Sequence, residues 1–276
     1  MSLKRILRKY KYIIRDFFNK DALSVSWDRG YNFGDALNPI LLNKLTNKKI
    51  LWVNRVYYPK PYIMCIGSIL QKATSDSLIW GSGFISSDSK CSEKPKKVYA
   101  VRGPKTRAKL LEQDIDCPEV YGDPALLLPK VYAPKIEKKY KLGIIPHYVD
   151  QENKILDQFS KEEGVIVIDI KMKDHYAFID LLLSCEKIVS SSLHGVIVAD
   201  AYNIPSVWAE FSKNVKGEGF KFFDYFLSVK RTDLGPLLIN NESKIDDLYD
   251  AFYDYKIDID LDLLIKSFPY DLELDA

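Results

Sequence analysis

Residues 187–211 read Lys-Ile-Val-Ser-Ser-Ser-Leu-His-Gly-Val-Ile-Val-Ala-Asp-Ala-Tyr-Asn-Ile-Pro-Ser-Val-Trp-Ala-Glu-Phe, and they put one imidazole, His194, where chemistry can use it. Lys187 to Ser190 form a short β-branched run, the serines with Leu193-His194-Gly195 form a turn, and Val196 to Tyr202 repeat apolar residues at helical spacing. Ile204-Pro205-Ser206-Val207-Trp208 then opens another strand. A β-turn-α-β unit of this kind sets its turn at the carboxyl end of a buried strand, where open α/β sheets bind ligands. The helix that starts there directs unpaired N–H groups and its positive dipole end at the space above the turn. A phosphate or carboxylate suits that space, with a proton donor or acceptor beside it. The same residues also admit a plain reading, a structural histidine satisfied by hydrogen bonds.

The elements that must hold such a site recur along the chain. Residues 23–27 read as a strand, followed by the polar loop Asp28-Arg29-Gly30-Tyr31-Asn32-Phe33-Gly34 and a helix over 35–45 that Asp35 is placed to cap. Short strands are expected at 50–53, 62–66, 77–80 and 97–101, punctuated by Gly67-Ser68, Gly81-Ser82-Gly83 and Arg102-Gly103-Pro104. A helix over 105–113 and a strand at 119–121 lead into Gly122-Asp123-Pro124, and residues 129–139, with two prolines and four lysines, read as a linker. The alternation then restarts: a strand at 141–145 ending in Pro146-His147, a helix at 151–162, a strand at 165–170, a helix at 175–185, and the His194 unit. Gly217-Glu218-Gly219-Phe220-Lys221 leads into a helix at 222–227, and one or two acidic helices finish the chain. The pattern predicts an α/β protein of two Rossmann-like lobes, residues 1–132 and 133–276, facing a cleft lined by strand-end loops.

Composition narrows the function classes. A chain of 276 residues with 47% hydrophobic residues fills two cores, and a net charge of +2 argues against a nucleic-acid partner. Cys65, Cys91, Cys117 and Cys185 form no C-x-x-C pair, so we expect core thiols in a reducing cytoplasm rather than a zinc site or a disulfide framework. No run approaches the ~20 apolar residues that span a bilayer, and the N-terminus lacks a signal-peptide pattern.

Residues 1–20 carry seven basic side chains against the single acid Asp16, while residues 246–275 are rich in Asp. Leu3, Ile6, Leu7, Tyr10, Ile13, Ile14, Phe17 and Phe18 share one helical stripe over 3–18. That stripe reads either as a packing helix over the first lobe, the favoured alternative, or as a peripheral helix drawn to anionic lipid at the inner face of a membrane.

With these residues laid out, the chain resembles the polysaccharide pyruvyl transferase family. The matching pieces are Asn32-Phe33-Gly34-Asp35, Gly81-Ser82-Gly83, Arg102-Gly103, Gly122-Asp123-Pro124, Gly143-Ile144-Ile145-Pro146-His147 and Ser192-Leu193-His194-Gly195 with Ala199 and Ile204-Pro205. The resemblance implies a GT-B-like fold and transfer of a pyruvyl group from phosphoenolpyruvate to two hydroxyls of a sugar in a bacterial surface or extracellular polysaccharide, forming a cyclic ketal. It also implies that Arg102 and His194 hold the donor and assist the chemistry. Many members carry an arginine where this chain has Ser192, so Lys221 or another arginine must supply the missing cation.

The implied chemistry suits these residue types. A donor with a carboxylate and a phosphate needs fixed cations and N–H groups, and His194 as imidazolium can protonate the methylene carbon. Asp35 is the first candidate to orient or deprotonate the acceptor hydroxyl, with Asp123 the second. Asn32, Gly34, Ser68, Gly83, His147, Ser192, Leu193, Gly195 and Lys221 are expected around the substrates. Several have a bland alternative: Asp35 a helix cap, Asp123 a turn residue, Arg102 a surface ion-pair partner, His147 a structural group and Lys221 an exposed helix lysine; His175, outside this set, is expected to be solvated. The scheme needs no metal and no cofactor; phosphoenolpyruvate is a substrate, and a sugar or lipid-linked oligosaccharide is the acceptor. Competing readings are a GT-B glycosyltransferase using a nucleotide sugar and a non-catalytic glycan-binding relative.

Overall fold

In the computed structural model, which describes residues 3–30, 32–233 and 235–272 and only the backbone of 3–6, the aliphatic runs become two five-stranded, wholly parallel sheets. Tyr31, the side chains of Leu3 and Ile6, and the acidic residues past 272 lie outside the described residues. The first sheet comprises β1 (Leu23–Val25), β2 (Ile50–Trp52), β3 (Tyr62–Met64), β4 (Ser77–Trp80) and β5 (Lys97–Ala100), in the order β2-β1-β3-β4-β5. The second comprises β6 (Tyr140–Ile145), β7 (Val165–Val167), β8 (Cys185–Ser190), β9 (Ser206–Glu210) and β10 (Leu237–Leu238), in the order β10-β9-β8-β6-β7. Counted from its own first strand, the second sheet repeats the order of the first. In each, the winding reverses beside the first strand, between β1 and β3 and between β6 and β8, and loops diverging there open a crevice at the carboxyl ends.

The helices are α1 (Leu3–Phe17), α2 (Phe33–Thr46), α3 (Pro104–Leu111), α4 (Leu128–Val131), α5 (Ile155–Phe159), α6 (His175–Leu183), α7 (Leu193–Ala201), α8 (Phe220–Ser228), α9 (Ile245–Asp250) and α10 (Leu261–Lys266). With helices on its faces, β4 is buried along its length, which is why it reads as an apolar run rather than an alternation.

Around the cleft expected between the lobes, the two halves also pack against each other along an apolar seam. One hydrophobic cluster runs from Val25, Phe33 and Trp80 through Ala125 and Leu128 to Leu182, Leu193 and Val196. The Phe33 ring lies 4.0 Å from Phe178 and 5.6 Å from His175, so His175 is half-buried rather than solvated. From the far end of the chain, α10 returns to the first sheet: Trp80 Nε1 donates to the Leu264 carbonyl at 3.0 Å, and Phe268 packs 4.6 Å from the same indole.

Other expectations change for physical reasons. Residues 119–121 make no strand, only a bridge between Val101 and Tyr121, because Pro118 precedes them and Gly122, at φ 136°, turns the chain away. The linker is tied down, opening as α4 and continuing to Tyr132, whose hydroxyl donates to Asp180 Oδ1 at 2.7 Å. Helix α1 does not cover the first lobe with its apolar stripe; Leu7, Tyr10, Ile14 and Phe17 are exposed.

The seam is fastened by a buried ion pair. Arg102 Nε donates to Asp224 Oδ2 at 2.9 Å, and Asp224 also accepts from the Thr106 amide at 2.8 Å and the Thr106 hydroxyl at 2.6 Å. A Cβ at Gly103 would stand 1.9 Å from the Asp224 carbonyl oxygen, so only glycine lets α8 come this close. We expect Arg102→Met, which strands a buried carboxylate, to cost about 3–5 kcal/mol in urea denaturation, and Asp224→Leu added to it to recover part of that loss.

Candidate functional site

The two points of reversed winding face each other across the seam and enclose a cavity of about 430 Å³, the size of a small-ligand pocket. The loop after β1 and the start of α2 bring Asp28, Gly30, Asn32 and Asp35; the loop after β3 brings Ser68 and Ile69. From the second lobe come His147 and Tyr148 after β6, Lys171 after β7, Ser192, Leu193 and His194 after β8, and Lys221 on α8.

The turn after β8 is built by its serines. Ser190 Oγ donates to the Ile145 carbonyl at 2.9 Å and accepts from the Ser192 amide at 3.0 Å, fixing the chain as it leaves the strand. A Cβ at Gly195 would stand 2.3 Å from that hydroxyl, so glycine is needed for close approach and not for ligand contact. Ser192 is the N-cap of α7, yet its side chain makes no capping bond. The Gly195 amide donates to the Ser192 carbonyl at 3.0 Å, so the Leu193 and His194 amides, with the Ser192 hydroxyl, are left for a ligand.

His194 is buried, with Nε2 3.6 Å from Asp123 Oδ2 and without a hydrogen-bond partner. A Cβ at Gly34 would fall 2.0 Å from its Nδ1, so the ring fits only because residue 34 is glycine. Asp123 is a turn residue as well: its Oδ1 accepts from the Ala125 amide at 3.0 Å, leaving Oδ2 toward the imidazole.

Asp35 is not the cap expected of it. The cap of α2 is Asn32, whose extended backbone lets Oδ1 accept from the Gly34 amide at 3.3 Å while Nδ2 donates to Asp35 Oδ2 at 3.2 Å. Asp35 Oδ1 is buried without a partner. Burial raises this carboxyl to about 7 against the opposing pull of His194, so it exchanges its proton near neutrality.

The cations divide differently from expectation. Lys221 is buried, not exposed, and burial with the nearby Arg102 charge lowers its ammonium to about 8, while Asp150 and Asp35 oppose the shift. It thus keeps its charge for the most part at neutral pH. Lys171 adds a second ammonium at the exposed rim. His147 is pushed down to about 3 by burial and by Lys221, and stays a neutral imidazole. Its loop is held by its own amide, which donates to Ser191 Oγ at 2.7 Å, and by Ser191 Oγ, which donates to Asp150 Oδ2 at 3.0 Å.

Arg102 does not offer its fork to the cavity. Besides Asp224 it donates through Nη1 to Ser68 Oγ at 2.7 Å and through Nη2 to the Phe84 carbonyl at 2.7 Å, and it is buried rather than on the surface. A guanidinium withdrawn from water must spend its donors on fixed acceptors, and the seam supplies them. It meets the cavity only through Ser68 and through the helix that carries Lys221. Gly83 lies behind it, where a Cβ would stand 2.5 Å from Arg102 Cζ. Of the expected residues, Asn32, Asp35, Ser68, His147, Ser192, Leu193, His194 and Lys221 line the cavity; Gly34, Gly83, Asp123, Gly195 and Arg102 support them from behind. Asp28, Tyr148 and Lys171 line it unforeseen; Asp28 was legible as the first residue of the polar loop after the strand expected at 23–27, whereas Lys171 belongs to no motif.

Among the described residues no group of three His, Cys, Asp or Glu side chains is placed to hold a metal ion. The family model described as polysaccharide pyruvyl transferase matches residues 2–210. An uncharacterized protein of Acanthamoeba polyphaga mimivirus is 33% identical over 202 residues, covering 70% of this chain and 69% of the viral protein. The succinoglycan biosynthesis protein ExoV of Rhizobium meliloti is 31% identical over 206 residues, covering 70% of this chain and 60% of that protein.

The raised Asp35 carboxyl has a signature in stability. Between the ordinary aspartate value of 3.8 and about 7 the folded protein keeps a proton that the unfolded chain has released, so stability declines as pH rises through that window. Asp35→Asn removes the decline. Its thermal midpoint should gain on the wild type from about pH 4 to about pH 7 and hold that lead above; a difference independent of pH contradicts the assignment.

Proposed function

The chain belongs to the polysaccharide pyruvyl transferase family, and from that premise we propose that the seam cavity binds phosphoenolpyruvate and transfers its pyruvyl group to two hydroxyls of one sugar unit. The observation that carries this reading is the joint presence, in one small cavity, of a buried lysine, an uncapped helix N-terminus and a histidine with an unpartnered nitrogen. Lys221 and the first-turn amides of α7 receive the donor's two anionic groups, with Lys171 at the rim. Lys221 takes the place of the cation that Ser192 does not provide.

His194, with Asp123 behind it, donates a proton to the methylene carbon, which becomes the methyl group, as the first sugar hydroxyl adds to the adjacent carbon. Asp35 accepts the proton of that hydroxyl. Breaking the bond from this carbon to the phosphate oxygen releases phosphate, and the second hydroxyl adds in its place, its proton leaving with the phosphate or to the imidazole. The product is a cyclic ketal, and each atom of the donor leaves in the ketal or in phosphate. Arg102 serves as a positioning residue, acting through Ser68 and α8.

We read the two like-ordered lobes, divided near residue 132 with α10 crossing back, as a GT-B-like arrangement. ExoV, named for succinoglycan biosynthesis, supports an extracellular polysaccharide as the acceptor class.

Phosphoenolpyruvate at about a hundred times its Kd should protect the protein against unfolding by roughly 2.7 kcal/mol, and nucleotide sugars should not. With a glycan acceptor, phosphate release should fall about 10²- to 10⁴-fold in His194→Ala and Asp35→Asn, while Lys221→Met chiefly raises KM for the donor. Protection by a nucleotide sugar alone assigns the cavity to glycosyl transfer instead.

A further inference from the structure

Helix α1 is attached to the body by its polar face. Arg15 Nη1 donates to the Trp52 carbonyl at 2.9 Å, the Asn54 amide donates to the Tyr12 hydroxyl at 3.0 Å, and the Tyr58 hydroxyl donates to Asp16 Oδ2 at 2.7 Å. The Arg8 guanidinium lies 4.6 Å from the centre of the Tyr57 ring. At 100° per residue these positions share one side of the helix, and Leu7, Tyr10, Ile14 and Phe17 share the other. That other side faces solvent: Phe17 is 65% exposed, and Phe18, just past the helix end, 78%. An amphipathic helix that served only the fold would sit the opposite way round, with its apolar stripe inward. The hydrogen bonds fix this orientation, so the stripe is presented outward and calls for an apolar environment beyond the chain.

Charge identifies that environment. Lys11, exposed on one edge of the stripe, and Lys20, exposed just past the helix end with its ammonium 5.3 Å from the Phe17 ring, place ammonium groups beside the stripe, where they reach lipid phosphates while rings and aliphatic chains enter the acyl boundary. Residues 1–20 hold seven basic side chains against one acid. A second copy of the chain on this face would oppose lysine to lysine, which disfavours self-association. No helix among the described residues is long and apolar enough to cross a membrane, so contact through α1 would be with the surface.

We propose that α1 lies flat on a bilayer containing anionic lipid, with Leu7, Tyr10, Ile14, Phe17 and Phe18 inserted at the headgroup boundary. The proposal is independent of the catalytic reading, because binding is measured without donor or acceptor. The full chain is sedimented with vesicles of phosphatidylcholine alone and of equal parts phosphatidylcholine and phosphatidylglycerol. Binding should be at least about tenfold tighter to the mixed vesicles and weaken as salt rises. Ile14→Asp with Phe17→Ser should lower it about tenfold or more, and Lys11→Glu with Lys20→Glu should erase the preference for anionic lipid. These side chains are exposed, so an unchanged unfolding midpoint verifies that each variant is folded. Absence of wild-type binding to mixed vesicles, or full binding by the Ile14→Asp and Phe17→Ser double variant, overturns the proposal. A concentration-dependent dimer lost in Phe17→Ser, without vesicle binding, overturns it equally and gives the face to a second copy.

Discussion

The pairing of Arg102 with Asp224 is the constraint on which the site depends. It joins the end of β5 to α8 across 122 positions of sequence, with neither group open to solvent. A buried pair of this kind contributes little net stability but makes separation of its halves costly. Two consequences reach the cavity. Ser68 is held by the same guanidinium, and Lys221, three residues before Asp224 on α8, is delivered into the pocket by the helix that the pair anchors. The positive charge of Arg102 also helps to lower the Lys221 ammonium.

Around that anchor the cavity holds polar groups that the fold itself does not satisfy. Asp35 Oδ1 and His194 Nε2 are buried without partners, and each such group costs roughly 1–3 kcal/mol. Proteins tolerate this where a ligand or a transferred proton completes the set. The glycines enforce the crowding: residue 34 admits the imidazole, and residue 67, at φ 127°, leaves room for the Asp35 carboxylate, whose Oδ1 would otherwise stand 2.7 Å from a Cβ. Burial drives the titratable groups of the cavity apart in proton affinity, because it disfavours the charged form of each. A carboxyl raised to about 7 and a His147 imidazole lowered to about 3 give the cavity both proton-exchanging and permanently neutral surfaces.

Much of this was legible in the sequence, and the failures have definable causes. Local signals carried the strand-glycine-helix alternation and the serine turn before His194, because propensity, turn chemistry and apolar period agreed there. Asp35 was singled out as a site carboxylate, while its alternative as a helix cap fails, since Asn32 three residues earlier has the extended backbone a cap needs. Arg102 was found without its partner: nothing local distinguishes Asp224 from any other helical aspartate, and its role appears only when α8 meets α3. The stripe on α1 was recognised but its direction was not, because period reveals that a helix is two-faced and not which face its neighbours hold. The return of α10 onto Trp80 likewise rests on contacts between the two ends of the chain.

On the proposed reading, a small donor with two anionic groups sits in the seam, within reach of Lys221 and His194 together. The structure of the protein in complex with phosphoenolpyruvate tests it most directly. The expected result is a phosphate or carboxylate oxygen within hydrogen-bond distance of Lys221 Nζ, the other anionic group at the first turn of α7, and the methylene carbon facing His194. Density for the donor outside the seam, with Lys221 and His194 untouched, would contradict it.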